Sequence, residues 1–349
     1  MKTLNYKILV VVLFIASGVL KAQEQYDKKF HEKYSVNKSS TFDISNKFGN
    51  IKIENTTEDS IRIDAEIVVK TSSKEKADKI INKISVTITK SGDLVSAKTE
   101  LDNISSNNSS FEINYHVTMP AYLNITLVNK YGKVDINELE GKSTLSVKYG
   151  SLNVNKIMDG SEKPLSAVEL GYCDGSRINE FNWGKIIIKY SKLEVEKGKA
   201  LVISSKYSQL ELGQFSSIVA EAAYDDYKIN RVINLVINSE YSNIEVENLA
   251  NIFKSDNKYG DVKISKVPIG FENIDVKSKY AQIDIGIASE ASYNLEATCK
   301  YADIKYENVT ISERTKDDFS IELKGKSGNL ESKSMVKIQS DYGDVDLRP

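Results

Sequence analysis

The sequence predicts an all-β fold: a single-stranded β-helix or solenoid with about 17–21 residues per rung, plus an N-terminal strand-rich cap holding one short helix. Three observations predict it. An aromatic recurs in one local setting, from NKFGNIKI at Phe48 and NKYGKVDI at Tyr131 to SDYGDVDL at Tyr342. Between these lie Tyr149, Tyr172, Tyr190, Tyr207, Tyr224, Tyr241, Tyr259, Tyr280 and Tyr301. The gaps from Tyr131 to Tyr301 are 18, 23, 18, 17, 17, 17, 18, 21 and 21 residues, so the chain counts out a structural unit. Alternation is the second observation. Leu201, Ile203, Ser205 and Tyr207 share one parity, whereas Leu210 and Leu212 resume it only after a phase change. The third is the residue after the aromatic, which is small or turn-prone (Gly132, Gly150, Ser191, Ser208, Asp225, Ser242, Gly260) and suits a corner. Each unit therefore reads as strand, corner, strand, turn. No hexapeptide pattern of left-handed helices occurs, and crossovers are normally right-handed, so a right-handed coil is expected.

In chain order, residues 1–22 read as a signal peptide: Lys2 and Lys7, an apolar run Ile8 to Ile15, and Ala22 as the small residue before cleavage. That run is shorter than the ~20 residues of a membrane span, so no transmembrane segment is expected after cleavage and the chain should be exported to the periplasm, outer-membrane surface or medium. Residues 23–125 form the expected cap. Ala77, Ile80, Ile81 and Ile84 recur at helical spacing, with Ser72 and Glu75 placed as a capping box. Residues 126–349 carry the repeats. The 23-residue gap before Tyr172 inserts residues 155–166 as a bulge, and the charged stretch 307–318 reads as an exposed loop. FSIELKGKSGNL reads as a degenerate rung with Ser327 in place of the ring, and DVDLRP leaves the C-terminal edge of the stack bare.

Parity places the tyrosine ring inward or along the inner corner, so stacked rungs would form a ladder at the core with ring spacing near 4.8 Å. The residue two before it is often small or polar (Asn46, Asn129, Ser205, Ser239, Asn257), leaving room for the ring and offering the phenol a partner. A carbohydrate-stacking strip is the alternative use of the same rings. Lysine precedes the ring at Lys47, Lys130, Lys148, Lys189, Lys206, Lys258, Lys279 and Lys300, and alternation turns these outward as a basic stripe. That stripe is either a solvated edge that resists aggregation or a contact for anionic glycans or lipid head groups, with Lys148, Lys189, Lys206, Lys258, Lys279 and Lys300 as candidate binding residues.

Composition narrows the chemistry. Only five of 47 basic residues are arginine and the net charge is −2, so nucleic-acid binding is not expected. Cys173 and Cys299 sit seven repeats apart, roughly 34 Å at the strand spacing, too far for a disulfide, and two free core thiols are expected. His31 and His116 lie outside the repeats and belong to no nucleophile motif. Asp225 and Asp226 point to opposite faces of a strand, and no calcium-binding nonapeptide occurs, so neither metal nor cofactor is expected.

The strand FDISNKFGNIKIEN, the stretch SFEINYHVTMPAYLNITLVNKYGKVDI with its Met119–Pro120 pair, and the following repeats resemble the putative adhesin family of bacterial envelope proteins, over most of residues 40–347. The resemblance implies an exported β-solenoid and no active site to carry across. The function expected is therefore a non-enzymatic envelope or cell-surface protein binding glycan or protein along an extended β-face. A polysaccharide-active β-helix enzyme and a structural or regulatory periplasmic module are the alternatives.

Overall fold

The computed structural model describes residues 24–104, 109–159, 165–329 and 331–349; the expected signal peptide lies outside the described residues. The described chain is all-β, with 27 strands hydrogen-bonded into one sheet and a single helix, Lys74–Ile81. No described helix is long and apolar enough to cross a membrane.

Two columns of parallel strands run through the molecule. One contains the strands that precede each ring: Thr41–Lys47, Asn124–Lys130, Ser143–Lys148, Ala167–Gly171, Trp183–Lys189, and onward through residues 200–206, 217–223, 234–240 and 252–258. The other contains the strands that follow it, from Ile51–Asn55 and Lys133–Leu139 to Ile283–Ile287. Registers hold residue for residue apart from irregularities between Val232 and Asn234 and between Ile264 and Val267. Lys192 faces Gln209, which faces Asp226, which faces Asn243, so like positions of successive repeats lie side by side. Alternation buries Leu201, Ile203, Leu210, Leu212, Ile218 and their counterparts, and the inward side chains of both columns merge into one core.

Antiparallel strands cover the N-terminal end and, at the C-terminal end, the column that precedes the rings, which leaves fewer unpaired edges for other chains. At the N-terminal end Leu94–Leu101 and Ser110–Met119 lie beside the first pair of parallel strands; Ile84–Ser91 and Ser60–Thr71 pair onto them antiparallel, and Glu24–Ser35 pairs antiparallel with Ser60–Thr71. The helix buries Ala77, Ile80 and Ile81, but its N-cap is Ser73, whose Oγ accepts from the Lys76 N–H; Ser72 instead meets the Lys76 ammonium.

At the C-terminal end the order of strands departs from the order of the sequence. Met335–Asp341 lies between Asn273–Lys279 and Tyr293–Lys300, parallel to both, and Val345–Arg348 lies between Ile283–Ile287 and Ile304–Tyr306. The last repeat is thus an inner one rather than a bare edge. Nor is FSIELKGKSGNL a degenerate rung. Ser320–Ser327 runs antiparallel to Tyr293–Lys300, and the expected loop before it forms the strand Thr310–Lys316, antiparallel in turn. A repeat lacking its ring has no place in the stack and serves as the cover.

Candidate functional site

Twelve rings form one continuous stack. From Phe48 the order is Tyr131, Tyr149, Tyr172, Tyr190, Tyr207, Tyr224, Tyr241, Tyr259, Tyr280, Tyr342 and Tyr301, with centroids 4.7–5.1 Å apart and planes within 17° of parallel. Phe111 meets the first ring edge-on at 5.5 Å and Phe319, in the turn before Ser320–Ser327, meets the last at a tilt at 5.3 Å, so both ends of the stack are covered by a ring.

The rings do not point inward. The eleven tyrosines are 41–54% exposed, because every one of them, like Phe48, has a left-handed backbone with φ between 50° and 60°. Parity arguments hold only for extended backbone. One residue at positive φ turns the chain at the corner and swings its own side chain out of the alternation. The bend therefore belongs to the tyrosine, and the small residue after it is held by space. A Cβ on Gly132 would lie 2.0 Å from the Gly49 carbonyl oxygen, and one on Gly343 2.0 Å from that of Ala281. Where that residue is serine, its hydroxyl ties one repeat to the next. Ser191 Oγ donates to the Lys189 carbonyl (2.8 Å) and accepts from the Cys173 N–H (2.9 Å); Ser242 Oγ does the same with Glu240 (2.9 Å) and Asp225 (3.0 Å).

The polar residues two before the ring do not partner the phenols either. They are buried and bind groups of the neighbouring strand or corner: Asn129 Nδ2 donates to the Gly49 carbonyl (3.1 Å), Asn46 Nδ2 to that of Ile113 (2.9 Å), and Ser239 Oγ to Asn257 Oδ1 (2.8 Å). At one corner the carboxylate of Asp225 accepts from the Ser208 N–H (2.7 Å), the Ala223 N–H (2.8 Å) and Ser205 Oγ (2.7 Å), and Ser205 also meets the buried Tyr227 hydroxyl (2.6 Å). Burial pushes the Asp225 carboxyl above its ordinary value despite these donors, and pushes the Tyr227 phenol up as well. Tyr227 escaped the sequence reading because it occupies an ordinary core position of the following strand.

The stack orients its rings face to face, so each face is occupied by a neighbour and solvent meets ring edges and hydroxyls. That geometry removes the carbohydrate-stacking strip, which needs free ring faces. Covering of the Tyr241 ring, then the charge of Tyr259 and Tyr224, pushes its phenol above the ordinary range.

The six candidate lysines stand in one column beside the rings, through the pairings of Lys130 with Lys148, Lys189 with Lys206, and Lys258 with Lys279. The column is not uniformly basic. Gly171, Ala223, Glu240 and Asp341 occupy the same position in their repeats, and Asp341 separates Lys279 from Lys300. Lys148 is paired with Glu169 (3.0 Å) and Lys258 with Glu240 (3.3 Å), whereas the Lys206 and Lys279 ammonium groups lie 5.2 and 5.5 Å from the Tyr207 and Tyr280 centroids, in cation–π range. On the other flank a shallow groove of about 410 Å³ is lined by Tyr172, Tyr190, Tyr207, Lys192 and Gln209.

Elsewhere the polar groups are satisfied locally. His116 Nε2 meets Glu54 at 2.6 Å and His31 meets Asp64. Both cysteines are buried and unpaired, and burial pushes the Cys299 thiol up to about 11. Among the described residues no group of three or more His, Cys, Asp or Glu could hold a metal.

No family model matches the chain, and no curated protein does. Solved structures similar to it include a putative adhesin from Parabacteroides distasonis (10% identity, covering 74% of this chain and 97% of that one, TM-score 0.37). A putative adhesin from Bacteroides fragilis shares 11% identity over 92% of this chain and 97% of that one, with a TM-score of 0.32. A putative lipid binding protein from Parabacteroides distasonis shares 11% over 68% and 96%, with a TM-score of 0.36.

Proposed function

We propose that the chain is an exported, non-enzymatic envelope or cell-surface protein that binds a linear anionic glycan along its ladder face. Right-handed solenoid coils of about 17–21 residues would set the repeat. One observation carries this reading: exposed phenol rings stack at centroid separations of 4.7–5.1 Å beside a column in which lysine is the commonest residue. A polymer lying along the stack would meet hydroxyl donors at every repeat after that of Phe48, and cations at most of them. Contact would be edge-on, through hydrogen bonds and charge. Surface charges act over only ~8 Å at physiological salt, so the polymer must lie close against the column.

Titration of residues 23–349 with polygalacturonate and with neutral dextran tests the proposal. Binding to polygalacturonate alone, weakening as salt rises and lost when Lys189, Lys206, Lys258 and Lys279 are changed to glutamate, is the expected result. Binding that survives this charge reversal rejects it.

A further inference from the structure

The chain runs from the Tyr280 repeat through residues 288–292 directly into Tyr293–Lys300, forms the antiparallel cover, and only then returns to insert Met335–Asp341 and Val345–Arg348 between the two repeats already made. The two walls of that slot are thus joined to each other without the segment that fills it. The fit is complete on both sides. Val336 pairs in register with Ile274 on one wall and Leu295 on the other, Val345 with Ile283 and Ile304, and the Tyr342 ring stacks at 4.8 Å on Tyr280 and 4.7 Å on Tyr301. Val336, Ile338, Val345 and Leu347 are buried there.

We propose that this slot is a strand-exchange site whose second occupant is residues 335–348 of another copy of the chain. Recognition rests on two strand edges, a ring at the corner and apolar residues at fixed alternation, which is the β-augmentation mode with unpaired backbone groups on both sides. The partner that carries all of these in order is a second copy. Its entry competes with the chain's own segment, which the tether through residues 328–334 holds at an effective concentration in the ~mM range. Exchange is therefore slow for the folded chain and favoured when many copies fold together, the usual condition for domain swapping.

The test uses the full chain with a protease recognition sequence inserted after Asn329, cut after folding and mixed with a fluorescent peptide of residues 333–349. The cut segment should remain bound through gel filtration, and the labelled peptide should replace it over time. The unlabelled peptide should compete, whereas one carrying Val336→Asp and Ile338→Asp should compete at least ~10-fold more weakly, since burying either charge costs more than the 1.4 kcal/mol that a factor of ten represents. The intact chain refolded at rising concentration should yield a dimer that dilute refolding does not, and this series stands alone if the inserted sequence prevents folding. Failure of the peptide to enter a folded, cut chain overturns the exchange site. An intact chain that stays monomeric at every refolding concentration overturns the second copy as its occupant.

Discussion

Tyr207 has a φ of 52°, a conformation that costs a residue bearing a Cβ roughly 1–2 kcal/mol. Its ring stacks at 4.9 Å on Tyr190 and 4.8 Å on Tyr224, and each such pair contributes about 0.5–1.5 kcal/mol beyond burial. Stacking and strain are thus of one size, which explains why an aromatic holds a position where asparagine or glycine would be easier. The residue beside it is constrained by space. Gly132→Ala should destabilise the protein by about 1–3 kcal/mol in urea denaturation, because the Gly49 carbonyl must move to admit the new Cβ. Asp225 gives a pH signature. With its folded pKa raised by burial above the ordinary 3.8, the folded state binds more protons than the unfolded between the two values, so its contribution is present at low pH and lost as pH rises through the folded value. Asp225→Ser, which copies the neighbouring corners Ser208 and Ser242, should flatten that slope when stability is followed from pH 3.5 to about pH 6. The positions of these residues were legible from spacing alone. Their orientation was not, since period-2 alternation cannot register a single left-handed residue, and it placed the rings in the core.

At the scale of elements, Ser320–Ser327 is held by Ile321 and Leu323, both buried against the last parallel strand. Changing both to aspartate should detach this cover and expose the Tyr293–Lys300 edge. The expected outcome is concentration-dependent association of the folded protein by light scattering, stronger than that of the folded parent chain at the same concentrations. The strands themselves could be read from alternation, and so could the helix from Ala77, Ile80 and Ile81. The order of the last repeats could not. Every repeat carries the same inward pattern, so Met335–Asp341 suits any slot between two parallel strands, and the sequence offers no mark that it belongs beside Asn273–Lys279. The repeat without a ring was visible at Ser327, but strand direction is set by the turn before it, where Asp317 accepts from the Phe319 N–H (2.8 Å) and the Ser320 N–H (2.6 Å).

For the whole molecule, the ladder is a run of nearest-neighbour contacts, and such arrays lose stability in proportion to the interfaces removed. Tyr207 and Tyr241 share no ring contact, since Tyr224 stands between them. Removing both should therefore interrupt four stacked pairs with nearly additive effect. Glycine separates the two terms, because it accepts positive φ without a Cβ penalty while losing the same stacking. The glycan contact proposed for the lysine column takes its spacing from the same stacked strands. Exposed, edge-out stacking thus holds successive repeats together against backbone strain. Thermal melting of the Tyr207→Ala, Tyr241→Ala protein beside the matching glycine pair tests it most directly. A clear fall in Tm is expected for the alanine pair, with the glycine pair lying above it by the strain of two residues, ~2–4 kcal/mol in all. An unchanged Tm in the alanine pair would contradict it.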